Sequence, residues 1–480
     1  MELPEVSHVP IWIDNKPVYT DTMFQVINSA TGKSIVACGI IPSLVTTVVQ
    51  SSHNAFASWK HTTAWQRRHL LLKAAALLEE RKSIAESVLK VEMPIEDFTI
   101  QQINIQSSID LLQELACHVL ESEKGTLLPS RHGSHTLALV LNQPVGVQLG
   151  IAPWNVSLYL GLRAVATPIA CGNTAILKAS ETTPLVHNFI GLLFRDAGFP
   201  PGVLNIVQHR KEDASEVIDA LLRDVRVRKV NFTGSTAVGR IIAAKAAGYG
   251  KPALLELGGK APQIVLEDAD LDEAVGAAAL GAFLHHGQIC MSTERIIVHA
   301  SVFDEFSKKL AHATAKTRVL PSASSLQVTK VEKLIQESLD AGAKTLSGQD
   351  VTIRGPLMNP VVLTNVTSSM PIWREETFSP AVAIVPFTTL NEAVELANDS
   401  EYGLSASVFT SSIARGMEVA RQLDTGAVHI NSMTVHDEAH LPHGGSKDSG
   451  WGRFGVPWGF AEFTQLKTIT MTDHSPGLEV

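Results

Sequence analysis

Glu256, in Leu255-Glu256-Leu257-Gly258-Gly259-Lys260, and Cys290, in Gly287-Gln288-Ile289-Cys290, stand thirty-four residues apart. A thiol can attack a carbonyl carbon, and a carboxylate can then activate the water that frees the bound acyl group. The flanking glycines let backbone approach a ligand closely. Alone the pair proves little, because most cysteines fill apolar cores and most glutamates are solvated. Asn155, behind Ala152-Pro153-Trp154, carries the side-chain amide donor that a developing oxyanion needs. It reads equally well as a turn residue.

Strand-like and helical patterns alternate through most of the chain, which predicts α/β architecture with parallel sheets. Apolar residues recur at helical spacing from Ala64 to Val91 and predict one long amphipathic helix. Short apolar strands are expected at 146–151, 173–178, 203–207 and 228–232. Four such strand–loop–helix units form a doubly wound nucleotide-binding sheet, whose ligand lies at the carboxyl ends of the strands. The loops expected there hold Asn155, Lys178, Gly202 and Gly234. A second α/β region is expected from Glu256 to about residue 465, and residues 125–143 alternate as an outlying hairpin or simple surface ribbon.

Phe232-Thr233-Gly234-Ser235-Thr236-Ala237-Val238-Gly239 joins a strand to a helix, where backbone N–H groups can meet phosphate oxygens. It lacks the Gly-x-Gly-x-x-Gly spacing, and Arg240-Ile241 replaces the Lys-Ser/Thr of a P-loop. Lys178 and Glu181 could hold ribose hydroxyls, and a carboxylate there repels a 2′-phosphate, favouring NAD over NADP. Their bland reading is a surface ion pair. His285 and His286 are adjacent, so their side chains diverge, and no metal site is expected.

At 480 residues, two or three domains are expected. With 45% hydrophobic and 18% charged residues, the composition is that of a globular protein. The net charge of −9 carries no basic cluster, which argues against nucleic acid. Four scattered cysteines argue against a disulfide framework and fit a reducing compartment. No run is long enough to span a membrane, and the acidic start lacks the order of a signal peptide, so a cytoplasmic location is expected.

Together these segments resemble the aldehyde dehydrogenase family. The likeness runs from about Ile11 to Ile469 through the motifs at Ala152–Asn155, Lys178–Glu181, Phe232–Ser235, Glu256–Lys260, Gly287–Cys290, Glu375–Pro380, Tyr402–Ala406 and Gly444–Gly450. It implies an NAD-binding domain (1–124 and 144–255), a catalytic domain (256–465) and a β oligomerisation arm (125–143 and 466–480), with a homodimer or homotetramer as the assembly. It assigns catalysis to Cys290, Glu256 and Asn155. Cofactor contacts fall to Ile151, Pro153, Trp154, Lys178, Glu181, Gly202, Phe232, Gly234, Ser235, Val238, Gly239, Leu257, Glu376 and Phe378.

The segments Thr434–Glu438 and Gly452–Gly455 are similar to the branch that oxidises aromatic aldehydes such as salicylaldehyde, benzaldehyde and vanillin. In that branch an Arg placed like Arg163 faces a phenolic oxygen; the alternative is an Arg capping surface helix carbonyls. Trp59, Trp65 and Trp373 read as packing residues. Ser379 replaces a usual Gly, and the stretch from Arg318 to Val331 is short by about ten residues, a change that a surface loop tolerates. Rival readings are an aliphatic or polyketide-derived aldehyde substrate, a CoA-acylating enzyme (disfavoured by Glu256), an NAD-independent thiol hydrolase and a non-enzymatic scaffold.

Overall fold

A computed structural model describes residues 8–132, 136–346, 348 and 351–472. The expectations for the first residues, and parts of the expected arm at 133–135 and 473–480, lie outside the described residues.

The strands Val147–Ile151, Thr174–Lys178 and Leu204–Val207 are continuous apolar runs because they are buried on both faces. They pair in parallel with Val227–Thr233 and Ala253–Glu256, and short antiparallel strands close the two edges. One face packs on the helices Ser157–Ala170 and Pro184–Ala197, with Ala64–Glu80 and Ser107–His118 behind them. The other face packs on Pro42–Trp59, Ala214–Arg223 and Thr236–Gly248. Helix Pro184–Ala197 has Pro at its first position and ends at Gly198 with φ 96°, the residues each terminus favours. Its first turn donates to a buried carboxylate: Glu92 accepts from Leu185 N–H (2.6 Å) and Val186 N–H (3.0 Å).

The second sheet has seven strands, six of them parallel: Val361–Thr364, Ala381–Phe387, Thr293–His299, Ala261–Val265, Ser405–Phe409 and Ala427–Ile430. Only Leu257–Lys260 separates strand Ala253–Glu256 of the first sheet from Ala261–Val265 of the second. Near its end the chain returns to the first sheet, where Gly450 pairs with Glu256. The strands Gly125–Pro129, Thr136–Pro144 and Thr464–Thr472 form a separate antiparallel ribbon, largely exposed.

Three expectations need correction. The helix expected over 64–91 is two, Ala64–Glu80 and Lys82–Glu92, broken at Arg81 (φ −103°, ψ 20°); apolar spacing carries across the break, so it left no trace in the pattern. Trp65 is 63% exposed and is no packing residue, whereas Trp59 and Trp373 are buried. Gly202 lies before its strand. The register Leu204↔Ala175 and Val207↔Lys178 puts Gly202 at the amino end of the sheet, opposite Lys178. There its φ is 80°, and a Cβ would come within 2.8 Å of the Ser51 carbonyl. Gly202 makes a tight turn, and His209 occupies the carboxyl end that it was expected to fill.

Glu92→Leu removes the acceptor for two buried helix N–H groups. It is expected to lower stability by about 1–3 kcal/mol per unpaired group, measured by urea unfolding.

Candidate active site

The short link between the sheets brings the chemistry together. A Cβ on Gly258 would stand 2.3 Å from Glu376 Oε2, and one on Gly259 would stand 2.3 Å from the Cys290 carbonyl. Gly259 therefore requires the absence of a side chain, whereas one at Gly258 would displace the Glu376 carboxylate. Gly259 N–H donates to Glu376 Oε1 (3.1 Å). Beneath them Lys260 and Glu294 form a buried ion pair, and Glu294 also accepts from the backbone N–H of Thr377 (2.9 Å) and Phe378 (3.2 Å). The loop bearing Glu376 and Phe378 is thus fastened to the Glu256 motif by charge-assisted bonds.

Cys290 follows a turn in which His285, His286 and Gly287 take φ of 52°, 59° and 69°. Left-handed backbone is costly for histidine, and such strain concentrates at functional sites. His285 Nδ1 lies 3.4 Å from Glu96 Oε2. Among the described residues no cluster of three metal-ligating side chains exists. All four cysteines are free.

Two cavities meet at Cys290, Glu256, Asn155 and Leu160. A cleft of about 810 Å³ is walled by Pro153, Trp154, Gly234, Ser235, Leu257, Glu376 and Phe378, together with Thr233, Gln327 and Lys330. The Trp154 and Phe378 rings meet edge to face, with centroids 5.8 Å apart. Helix Thr236–Gly248 starts at the cleft, with no acidic residue in its first turn and no side-chain cap from Ser235. Its N–H groups suit a phosphate. A funnel of about 1010 Å³ lies on the other side, walled by Phe98, Ile103, Tyr159, Met291, Met433 and Val435, with Arg163, His436, Asp437 and His443 as polar groups.

The remaining expected cofactor residues do not line this cleft. Lys178 Nζ lies 3.2 Å from Glu181 Oε2 at the end of strand Thr174–Lys178, with Lys178 buried and Glu181 40% exposed. Ile151 and Phe232 are core residues, and Phe232 packs beneath Gly234. Val238 is exposed at the start of the helix. At Gly239 a Cβ would overlap the Leu257 side chain, so this glycine lets the helix close on the link.

Arg163 is not a surface cap. It is buried, and Nη2 donates to Glu256 Oε2 (2.9 Å) and Thr233 Oγ1 (3.0 Å), while its guanidinium lies 4.3 Å from the Phe454 ring centroid. Burial would push the Glu256 carboxyl up, but His443 and Arg163 outweigh it and hold the group down at about 2. Cys290 moves the other way: burial first, then the Glu256 carboxylate, push the thiol well above its ordinary range. The free protein therefore rests as thiol and carboxylate. Asn155 Nδ2 donates to the Gln288 carbonyl (2.9 Å), leaving one amide proton to face an oxyanion.

Gln327, Lys330, Tyr159, Asp437 and His443 were not singled out as site residues from the sequence. Gln327 and Lys330 share a helix face at spacing three, which is ordinary helix periodicity, and only tertiary placement reveals them.

The chain belongs to the aldehyde dehydrogenase family, whose model matches residues 12–469. It is an oxidoreductase acting on aldehydes with a nicotinamide dinucleotide. It is 41% identical over 478 residues to a vanillin dehydrogenase of Pseudomonas sp. strain HR199, covering 97% of this chain and 98% of that one. It is 38% identical over 480 residues to a salicylaldehyde dehydrogenase of Pseudomonas sp. strain C18, covering 96% of each. The crystal structure of a salicylaldehyde dehydrogenase from Pseudomonas putida G7 complexed with salicylaldehyde superposes with a TM-score of 0.94 at 35% identity, covering 98% of this chain and all of that one. No helix among the described residues is long and apolar enough to cross a membrane.

Arg163→Leu removes the ion-pair partner of the buried Glu256 and is expected to cost about 3–5 kcal/mol in urea unfolding. Since Glu256 sits below its ordinary value of 4.5 in the folded protein, its contribution is complete above that value and is lost as pH falls toward about 2. That acid-dependent component should shrink in Arg163→Leu, leaving the part that His443 supplies.

Proposed function

We propose that the protein oxidises aromatic aldehydes to carboxylic acids, with NAD preferred over NADP. The observation that carries this reading is the meeting of two cavities, a cleft edged by Trp154, Phe378 and Glu376 and a funnel that includes Phe98 and Tyr159, at Cys290, Asn155 and Glu256. Relatives named for vanillin and salicylaldehyde support a ring-bearing substrate. The exposed Glu181 carboxylate disfavours a 2′-phosphate. Arg163 Nη1, without a hydrogen-bond partner in the funnel, offers a donor to a ring hydroxyl. The largely exposed ribbon supports a homodimer or homotetramer. It also supports dividing the chain into 1–124 with 144–255, 256–465, and 125–143 with 466–480.

On this reading Glu376 would hold the nicotinamide ribose, and Trp154 and Phe378 would flank the ring. The Gly234–Ser235 turn and the helix behind it would hold the phosphates. Lys178 and Glu181, beyond the cleft wall, would hold the adenosine ribose. A bound nicotinamide dinucleotide supplies the hydride acceptor. The Cys290 proton leaves to solvent in the funnel as Sγ adds to the aldehyde carbon, and Asn155 with the Cys290 N–H stabilises the oxyanion. Loss of hydride from that carbon leaves a thioester on Sγ. Glu256 then deprotonates water, the hydroxyl adds to the acyl carbon, the C–S bond breaks, the thiolate regains a proton from solvent, and the acid departs.

Cys290→Ala should abolish oxidation while NAD binding stays near normal by calorimetry. Glu256→Gln should form a first burst of NADH and then stall at the thioester; turnover at the wild-type rate would sink the role given to Glu256. In a panel of aromatic, aliphatic and polyketide-like aldehydes with NAD and NADP, kcat/KM should be highest for ring-hydroxylated benzaldehydes with NAD. A preference for long aliphatic aldehydes would overturn the aromatic assignment.

A further inference from the structure

Glu256 is 1% exposed and must shed a proton at every turnover, so its surroundings have to contain an exit. Its Oε2 is held by Arg163, a cation that cannot accept a proton. Its Oε1 accepts no hydrogen bond from the protein and faces His443 Nε2 at 3.8 Å. The other ring nitrogen, Nδ1, faces Asp437 Oδ1 at 3.6 Å. Asp437 accepts from the Tyr159 hydroxyl at 3.1 Å and is 14% exposed, so it leads from the buried base toward the funnel.

The imidazole is held in this position by its backbone. His443 and Phe454 exchange two backbone hydrogen bonds, of 3.0 and 2.8 Å, and the Phe454 ring carries the Arg163 guanidinium. The same short segment therefore fixes the clamp on one carboxylate oxygen and the imidazole beside the other. Both gaps exceed hydrogen-bond length by several tenths of an ångström, a distance that a small ring rotation closes.

We propose that His443 is the positioning and relay residue for the hydrolytic half of the reaction, taking from Glu256 the proton removed from water. The inference rests on Glu256 acting as the base. As water adds to the thioester carbon, its proton passes to Glu256 Oε1. The proton moves on to His443 Nε2, and the Nδ1 proton leaves toward Asp437 and solvent. The imidazole ends neutral, as the other tautomer, and reverts by exchange with solvent. The C–S electron pair returns to Cys290, and the thiolate takes up a proton from solvent to restore the resting thiol. No oxidant beyond the hydride acceptor is involved.

Three variants test this in the full-length protein by rapid-mixing measurement of NADH, with vanillin or salicylaldehyde as the probe. His443→Gln should keep a burst of one NADH per site, because acylation precedes the relay, while steady-state turnover falls by about 100-fold, the lower end of a proton-transfer contribution. Asp437→Asn should show the same split with a smaller loss. In His443→Ala, added imidazole should restore part of the steady-state rate. Unchanged steady-state turnover in His443→Gln would overturn the relay. Loss of the burst would place His443 in acylation or folding, and failure of imidazole to restore turnover would mark it as packing; either result also overturns the proposal. Failure of the underlying reading shows separately, as Glu256→Gln turning over without a stall.

Discussion

The four-residue link Leu257–Lys260 is the constraint on which the site depends. It carries the chain out of one parallel sheet and into the other, and it has no room for a side chain at Gly259. Because Gly258 and Gly259 lack Cβ atoms, the Glu376 carboxylate and the Cys290 backbone press directly against the peptide that follows Glu256. A thiol and two carboxylates that lie far apart in sequence become neighbours across one stretch of backbone. Loops are normally the variable parts of a fold; this one is fixed from both sides by strands that are themselves buried.

Such crowding puts charges where water does not reach. Two ion pairs, Arg163 with Glu256 and Lys260 with Glu294, make that burial tolerable. Their consequences differ. Glu294 divides its oxygens between Lys260 and backbone donors and so fastens the Glu376–Phe378 loop, a structural role. Glu256 is held well below the range of an efficient general base, which lies near the operating pH. Its catalytic strength depends on what substrate and water do to the Arg163 contact. The thiol, raised by the same carboxylate, stays protonated until an aldehyde can take its electrons, which protects a reactive sulfur in the free protein.

Much of this was legible in the sequence, and the exceptions follow a rule. The buried parallel strands stand within a residue or two of their apolar runs, and Cys290, Glu256, Asn155, Trp154 and Phe378 converge as their motifs imply. The failures are positions whose meaning depends on direction or on long-range contact. Gly202 looked like a ligand glycine, but it precedes its strand and so falls at the wrong end of the sheet. Arg163 offered two local readings, and the decisive partner was ninety-three residues away. His443 and Asp437 have no periodic or glycine signature; they matter because the chain returns to pair Gly450 with Glu256.

The stretch around 318–331 braces the loops beside the chemistry. Ser322 Oγ and the Ala323 N–H both donate to Gln288 Oε1, at 3.0 and 2.9 Å, two residues before Cys290. The helix that follows sends Gln327 to the Thr377 carbonyl at 2.6 Å. The same connection thus supports the Cys290 loop and the Glu376–Phe378 loop, and Gln327 and Lys330 form part of the cleft wall. Ser379 is buried with its hydroxyl unpartnered, directly after Phe378 in its left-handed conformation (φ 49°). An unsatisfied hydroxyl there costs stability, so the turn that bears Phe378 relies on the Glu294 and Gln327 contacts to Thr377 and Phe378 for its hold.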